Sequence, residues 1–316
     1  MQVRVTANVS KQFLVLPTIG YNTVTYYTTF NISNRKSLKG KSMITKVGVV
    51  SRCDKPGAVE IARDIIEHFQ KKLDIYVDPG TASELGIEGV PVARMRQFGV
   101  QMVITIGGDG TVLRTVQHMD DPLPVISINL GTLGFLVDVE ADDALRTIDS
   151  VLSGFEVDER FRMDIWINDM KLPPATNEVV IITAHPAKML AYRVWVDEHE
   201  LEELRADGLI IATPTGSTAY AMSAGGPIVD PKVDTIVVVP LAPFKLSSRP
   251  WAVPGQSTIK VELLLPDKEA EVVVDGQFSK VISSSDIIRI KKAATPARFV
   301  RINTDGFYDK VKSKLH

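Results

Sequence analysis

The chain has 316 residues, 45% hydrophobic and 23% charged, which is enough apolar material for two domains with separate cores and excludes disorder throughout. A formal net charge of -2 supplies no overall basic field, so nucleic acid is not an expected partner, although a local cationic pocket remains open. The single cysteine, Cys53, excludes an intrachain disulfide framework and a thiolate metal cluster and fits a reducing cytoplasm, and no apolar run approaches the roughly eighteen residues of a membrane-spanning helix, so no membrane is expected either.

Residues 1–42 contain no Asp or Glu and carry Arg4, Lys11, Arg35, Lys36, Lys39 and Lys41 among many Thr, Asn, Tyr and Ser. In composition this stretch is like a transit peptide, and it reads equally as an upstream segment ahead of the true start. The second reading is preferred, because Met43 directly precedes a clean strand pattern from Lys46 to Ser51. On either reading, 1–42 is an extension outside the fold.

From 43 to 154 apolar runs alternate with helical segments, which predicts an α/β domain with a Rossmann-like open parallel sheet. After Pro56, residues Ala58, Ile61, Ala62, Ile65, Ile66, Phe69 and Leu73 recur at helical spacing and form one buried stripe. The next strand is DIYVD, and the runs MVITI, ending at Ile106, and PVISI, ending at Ile128, each lead into a loop bearing glycine. Ligands collect at the carboxyl ends of such strands. A helix is predicted from Glu140 to Leu152.

Beyond it the period becomes alternating. Phe161, Met163, Ile165 and Ile167 alternate with Arg162, Asp164, Trp166 and Asn168, a strand with one buried face. AYRVWVD, KVELLL, EVVVD and DIIRIKK read the same way, so 155–295 is predicted to be an all-β, sandwich-type domain. A short helix is predicted from Phe307 to Leu315, with the tail 296–316 rejoining the first domain.

The strongest local signal is Gly107-Gly108-Asp109-Gly110-Thr111, between a buried strand and a helical run beginning near Val112. Glycines let the backbone approach phosphate oxygens, and a helix start adds N–H donors and a favourable dipole. An aspartate there is costly beside phosphates unless it binds a metal or accepts a proton, which argues for a chemical role over a helix cap. Arg114, one turn later, is placed to reach phosphate or is an ordinary exposed residue. A second loop, 129–136, can set Phe135 against a flat ring, or Phe135 is a core residue.

A third signal is DGLIIATPTGSTAY, from Asp207 to Tyr220. A buried strand delivers a loop dense in hydroxyls, including Thr215 and Thr218, and then a short helix through Ala219, Tyr220, Ala221, Met222 and Ser223. Converging hydroxyls suit a purine edge or a ribose, whereas a cap needs only one. Asn177-Glu178 alone reads as a solvated strand start, and Asp275-Gly276-Gln277 resembles a hairpin turn as well as a site. The five histidines show no metal-ligand spacing.

The joint occurrence, in this order, of GGDGT, GTLGFL, Asn-Glu and DGLIIATPTGSTAY resembles the NAD kinase family from about Lys46 onward. GGDGT alone is shared with lipid and sphingoid kinases, so a lipid kinase is the rival enzyme reading, and a dinucleotide sensor without activity is the rival outside enzymes. The resemblance implies an α/β domain followed by a β-sandwich. It also implies transfer of a phosphoryl group from ATP or polyphosphate, with a divalent cation such as magnesium, to the adenosine 2'-hydroxyl of NAD. It makes Asp109 the catalytic aspartate, with Gly110 beside it and Arg114 reaching toward phosphate, and it makes Phe135, Asn177, Glu178, Thr218 and Tyr220 adenosine contacts. Lys188, Arg205, Asp207, Ala242 and Gln277 match further dinucleotide positions, some reaching across a subunit interface in a homodimer or homotetramer.

Overall fold

Apolar runs without alternation, such as 102–106 and 125–128, need cover on both faces when they form strands. A computed structural model describes residues 43–131, 134–185, 188–266, 268–302 and 306–315, and in it these strands are buried on both faces. The reading of 1–42 lies outside the described residues, as do Thr132 and Leu133 of the second loop. In chain order the first elements are β1 (Lys46–Ser51), α1 (Pro56–Phe69), β2 (Asp74–Val77), α2 (Pro79–Leu85), α3 (Val92–Met95), β3 (Met102–Ile106), α4 (Asp109–Gln117), β4 (Val125–Asn129), β5 (Val139–Glu140), α5 (Ala144–Leu152) and β6 (Val157–Arg160). There follow β7 (Met163–Ile167), β8 (Met170–Ala175), β9 (Glu178–Thr183), β10 (Leu190–Val196), β11 (His199–Ala206), β12 (Gly208–Ala212), α6 (Tyr220–Ser223) and β13 (Thr235–Leu241). The last are β14 (Trp251–Pro254), β15 (Ile259–Leu263), β16 (Ala270–Val274), β17 (Phe278–Ile282), β18 (Ile287–Lys292), β19 (Ala297–Val300) and α7 (Phe307–Leu315).

Strands β2, β1, β3 and β4 lie side by side and parallel, with β5 against β4. From the end of the chain β19 pairs parallel with β4 and antiparallel with β6, so the sheet is mixed rather than purely parallel. The strand order turns at β1, between β2 and β3, which opens the crevice for a ligand at the carboxyl ends of β1 and β3. Helix α1 begins at Pro56, which lacks the N–H that a first helical turn leaves unpaired, and it buries Ala58, Ala62, Ile65 and Phe69. Leu73 joins that core from beyond the helix end. The helix predicted from Glu140 starts at Ala144 instead, because Val139 and Glu140 extend the sheet and a 3-10 turn intervenes.

The second half forms two antiparallel six-stranded sheets, ordered β11-β10-β15-β18-β7-β8 and β14-β13-β12-β9-β16-β17. Met163, Ile165 and Ile167 of one share a core with Val179, Ile181, Leu209 and Ile211 of the other, so the sheets pack as a sandwich. Each such fully buried side chain stabilises the fold by about 1.5–3 kcal/mol. The architecture is thus an α/β domain followed by a β-sandwich, as the change of period predicts. Arg162 departs from the alternation: it is 1% exposed, and its guanidinium donates to the carbonyls of Met119 (3.2 Å) and Asp120 (3.5 Å) just past α4.

Candidate active site

The GGDGT loop leaves the carboxyl end of β3, and α4 begins at Asp109 rather than near Val112. Gly108 is the residue before the helix, and the Asp109 side chain does not cap it. The carboxylate instead accepts the backbone N–H of Phe135 (2.8 Å) and of Leu136 (3.1 Å), which ties the first loop to the second. That approach requires glycine at 134, where a Cβ would fall inside the carboxylate. A Cβ on Gly108 would meet no atom within 4 Å, and one on Gly110 only the amide of Gln277 at 3.8 Å, so open space lies over the loop. Thr111 is buried, Gly107 packs against it, and Arg114 is solvent-exposed on the side of the Cys53 thiol, which feels its charge.

Facing the loop across the junction is a buried polar centre. Asp275 and Gly276 turn β16 into β17 with positive φ (49° and 64°), and the Gln277 N–H closes the turn on the Val274 carbonyl. The same turn is a site: the Asp275 carboxylate accepts the N–H groups of Thr176 (2.7 Å), Asn177 (2.8 Å) and Glu178 (3.0 Å). Glu178 is 8% exposed, so its segment is not a solvated strand start. Asn177 Oδ1 and Glu178 Oε2 are buried acceptors without a protein donor among the described residues.

Burial, and then the neighbouring Asp275 charge, push the Glu178 carboxyl up to about 8 against a Tyr220 N–H that favours ionisation. Burial raises Asp275 to about 6, opposed by its three N–H donors and by Arg162. At neutral pH the centre therefore holds an ionised Asp275 and a protonated Glu178. A carboxyl whose folded pKa is raised contributes stability that is complete below its unfolded value and lost as pH climbs through the folded one. Wild-type stability is thus expected to fall between about pH 4.5 and pH 8, by at most about 1.4 kcal/mol per pH unit from Glu178. Glu178→Gln should flatten that slope in urea unfolding at pH 5 and pH 8, and parallel curves for the two proteins would show the assignment wrong.

The hydroxyl loop is more structural than its composition predicts. Thr213, Ser217 and Thr218 donate to the carbonyls of Thr176 (2.6 Å), Pro214 (2.7 Å) and Thr215 (3.1 Å), so their protons are spent on the backbone. This folds 215–218 into a 3-10 turn that sets Ala219 and Tyr220 beside Glu178. Thr215 is buried in that turn; Ala221 points into the apolar cluster of Val180, Ile210, Val237 and Val239; Met222 is half-buried, and Ser223 is exposed.

Residues 47–155 match the model of the ATP-NAD kinase N-terminal domain, and residues 176–302 match that of the ATP-NAD kinase C-terminal domain. The chain belongs to the NAD kinase family. The NAD kinase of Methanosarcina acetivorans is 55% identical over 272 residues, which cover 86% of this chain and 99% of that protein. For the NAD kinase of Methanothermobacter thermautotrophicus the identity is 44% over 273 residues, covering 85% and 96%. Among solved structures, an NAD kinase from Archaeoglobus fulgidus in complex with ATP is similar with a TM-score of 0.71 at 27% identity, covering 86% of this chain and 98% of that one. Yeast NADH kinase complexed with NADH has a TM-score of 0.81 at 23% identity, covering 87% and 88%, a likeness of fold. Membership makes the chain an enzyme of NAD phosphorylation rather than a lipid kinase sharing the GGDGT loop.

Within this NAD kinase fold the residues read from the sequence separate into two groups. The loop residues 107–111, Phe135, Asn177, Glu178, Thr218, Tyr220, Asp275 and Gln277 gather at the junction. Lys188, Arg205, Asp207 and Ala242 lie at the other end of β9, β12 and β13, where Thr183 N–H donates to the Asp207 carbonyl and Asp207 N–H to Leu241. Five residue steps along β9 at about 3.3 Å each put the groups roughly 17 Å apart. Arg205 stacks its guanidinium 5.7 Å from the Phe244 ring, which is exposed. Sequence reading missed Arg162 and Lys314, whose Nζ stands 4.5 Å over the Phe135 ring centre.

Proposed function

We propose that Asp109 accepts the proton of the adenosine 2'-hydroxyl of NAD while that oxygen takes a phosphoryl group from a donor at the first turn of α4. The observation that carries this reading is the Asp109 carboxylate, which holds two backbone N–H groups yet keeps lone pairs for a third donor, at the junction with the sandwich. Gly107, Gly108, Gly110, Thr111 and Arg114 receive the donor phosphates, because N–H groups and a helix dipole favour anions there. Phe135, Thr218, Ala219 and Tyr220 hold the adenosine, and the unpartnered acceptor of Asn177 takes one of its amino or hydroxyl donors, with the Glu178 carboxyl beside it. Transfer then relies on position and charge neutralisation rather than on covalent chemistry by the protein.

ATP is the preferred donor, in keeping with the ATP bound to the Archaeoglobus relative, with polyphosphate as the alternative. Among the described residues no three His, Cys, Asp or Glu side chains form a set that would hold a metal alone. A magnesium ion would be held here by the donor phosphates together with the Asp109 carboxylate, and it would supply charge neutralisation. Lys188, Arg205, Asp207 and Ala242 serve the dinucleotide of a second copy in a homodimer or homotetramer, an arrangement supported by their distance from Asp109 and by Phe244 and Leu246 exposed beside them. The reading sets the enzyme in the cytoplasm, in line with its single cysteine and with no helix among the described residues able to cross a membrane. The test is purified protein with NAD, magnesium and either ATP or polyphosphate; NADP is expected with ATP, and no NADP with either donor would overturn the reading.

A further inference from the structure

Helix α7 ends the described chain beside the loop that holds Asp109. Its Lys310 pairs with Asp138, which directly follows the 134–137 stretch. Lys314 is one turn further on, so it lies on the same face of the helix. Its ammonium reaches the ring of Phe135, the residue whose N–H donates to Asp109 at 2.8 Å. The charges of Asp109, Lys310 and Asp138 all act on it, while burial works against its charged form. Lys312, on the same helix, stays exposed.

From this placement we infer that Lys314 binds the transferring phosphoryl group beside Asp109, so that the last helix contributes a cation to the reaction. The inference rests on the reading of Asp109 given above. Phosphoryl transfer spreads negative charge over the three outer oxygens of the moving group, and a fixed positive group aimed there stabilises the transition state. A lysine suits this task as a compact point charge. The plain alternative is a cation resting on Phe135 to dock the tail.

The experiment uses the full chain with Lys314→Met and Lys314→Arg. The efficiency kcat/KM is measured for the donor at saturating NAD, and NAD affinity is measured by calorimetry without donor. Lys314→Met is expected to lower donor efficiency by about 100-fold and to leave NAD affinity within about twofold, while Lys314→Arg recovers at least about tenfold of the loss. Donor efficiency near wild type in Lys314→Met, a loss that appears in NAD affinity instead, or an arginine variant no better than the methionine one would each overturn the assignment. Asp109→Asn is assayed alongside. If it stays active while Lys314→Met is impaired in donor use, the reading of Asp109 fails and the cation stands.

Discussion

The Asp109→Asn variant is expected to lower kcat by about 100-fold to 10,000-fold while NAD affinity stays within about threefold of wild type. Two roles meet in this carboxylate. One is visible in the contacts: it joins α4 to the Phe135 loop through two N–H donors, Phe135 on Oδ2 and Leu136 on Oδ1. The other is the proposed one, proton acceptor for a ribose hydroxyl. Asparagine keeps the size and one oxygen but turns an NH2 toward one of the two N–H groups, so the loop loses a bond of about 1 kcal/mol. A residue that only fixed the loop would show that loss as lower thermal stability and weaker NAD binding, with turnover following in proportion. A proton acceptor loses turnover far beyond what either change explains. The decisive comparison is therefore kcat against melting midpoint and NAD dissociation constant, and a kcat within tenfold of wild type would exclude the chemical role.

Much of this organisation is legible in the chain because its patterns have single physical meanings. Strands β3 and β4 are unbroken apolar runs, which only a sheet covered on both faces tolerates, and β7, β15 and β16 alternate as sandwich strands must. GGDGT between a strand and a helix marks a phosphate-type loop whatever surrounds it. Other features needed three dimensions. Alternation put Arg162 on the solvent face, but it stands where the sandwich meets the end of α4, and packing there buries it. Hydroxyl density suggested ligand contacts at 213–218, yet serine and threonine satisfy nearby carbonyls as readily as a ribose. A motif also carries no information on which end of a strand it will occupy. That is why Asp207 and Glu178, both parts of the same resemblance, come to lie at opposite ends of paired strands.

The Asp275→Ala variant is expected to lose about 3–5 kcal/mol of stability. Alanine would leave the N–H groups of Thr176, Asn177 and Glu178 without their acceptor in a buried place. It would also remove one of the four carboxylates, Asp164, Asp275, Asp120 and Asp121, whose charge supports that of Arg162. Burial pulls the Arg162 guanidinium down from its ordinary range, and Asp164, Asp275, Asp120 and Asp121 oppose that pull, so its charge depends on these neighbours. The cost should be shared between unpaired N–H groups and a less well compensated cation, and the two parts can be separated. Arg162→Met added to Asp275→Ala removes the stranded charge, so the double variant should be more stable than the sum of the single losses by about 1–3 kcal/mol. Urea unfolding of the four proteins at pH 7.5, where Asp275 is ionised, measures this coupling. Simple additivity would mean that Arg162 and Asp275 stabilise the junction independently. Coupling would instead join the segment that presents Asn177 and Glu178 to the end of α4, which would make the geometry of the proposed dinucleotide pocket depend on how firmly the two domains are held.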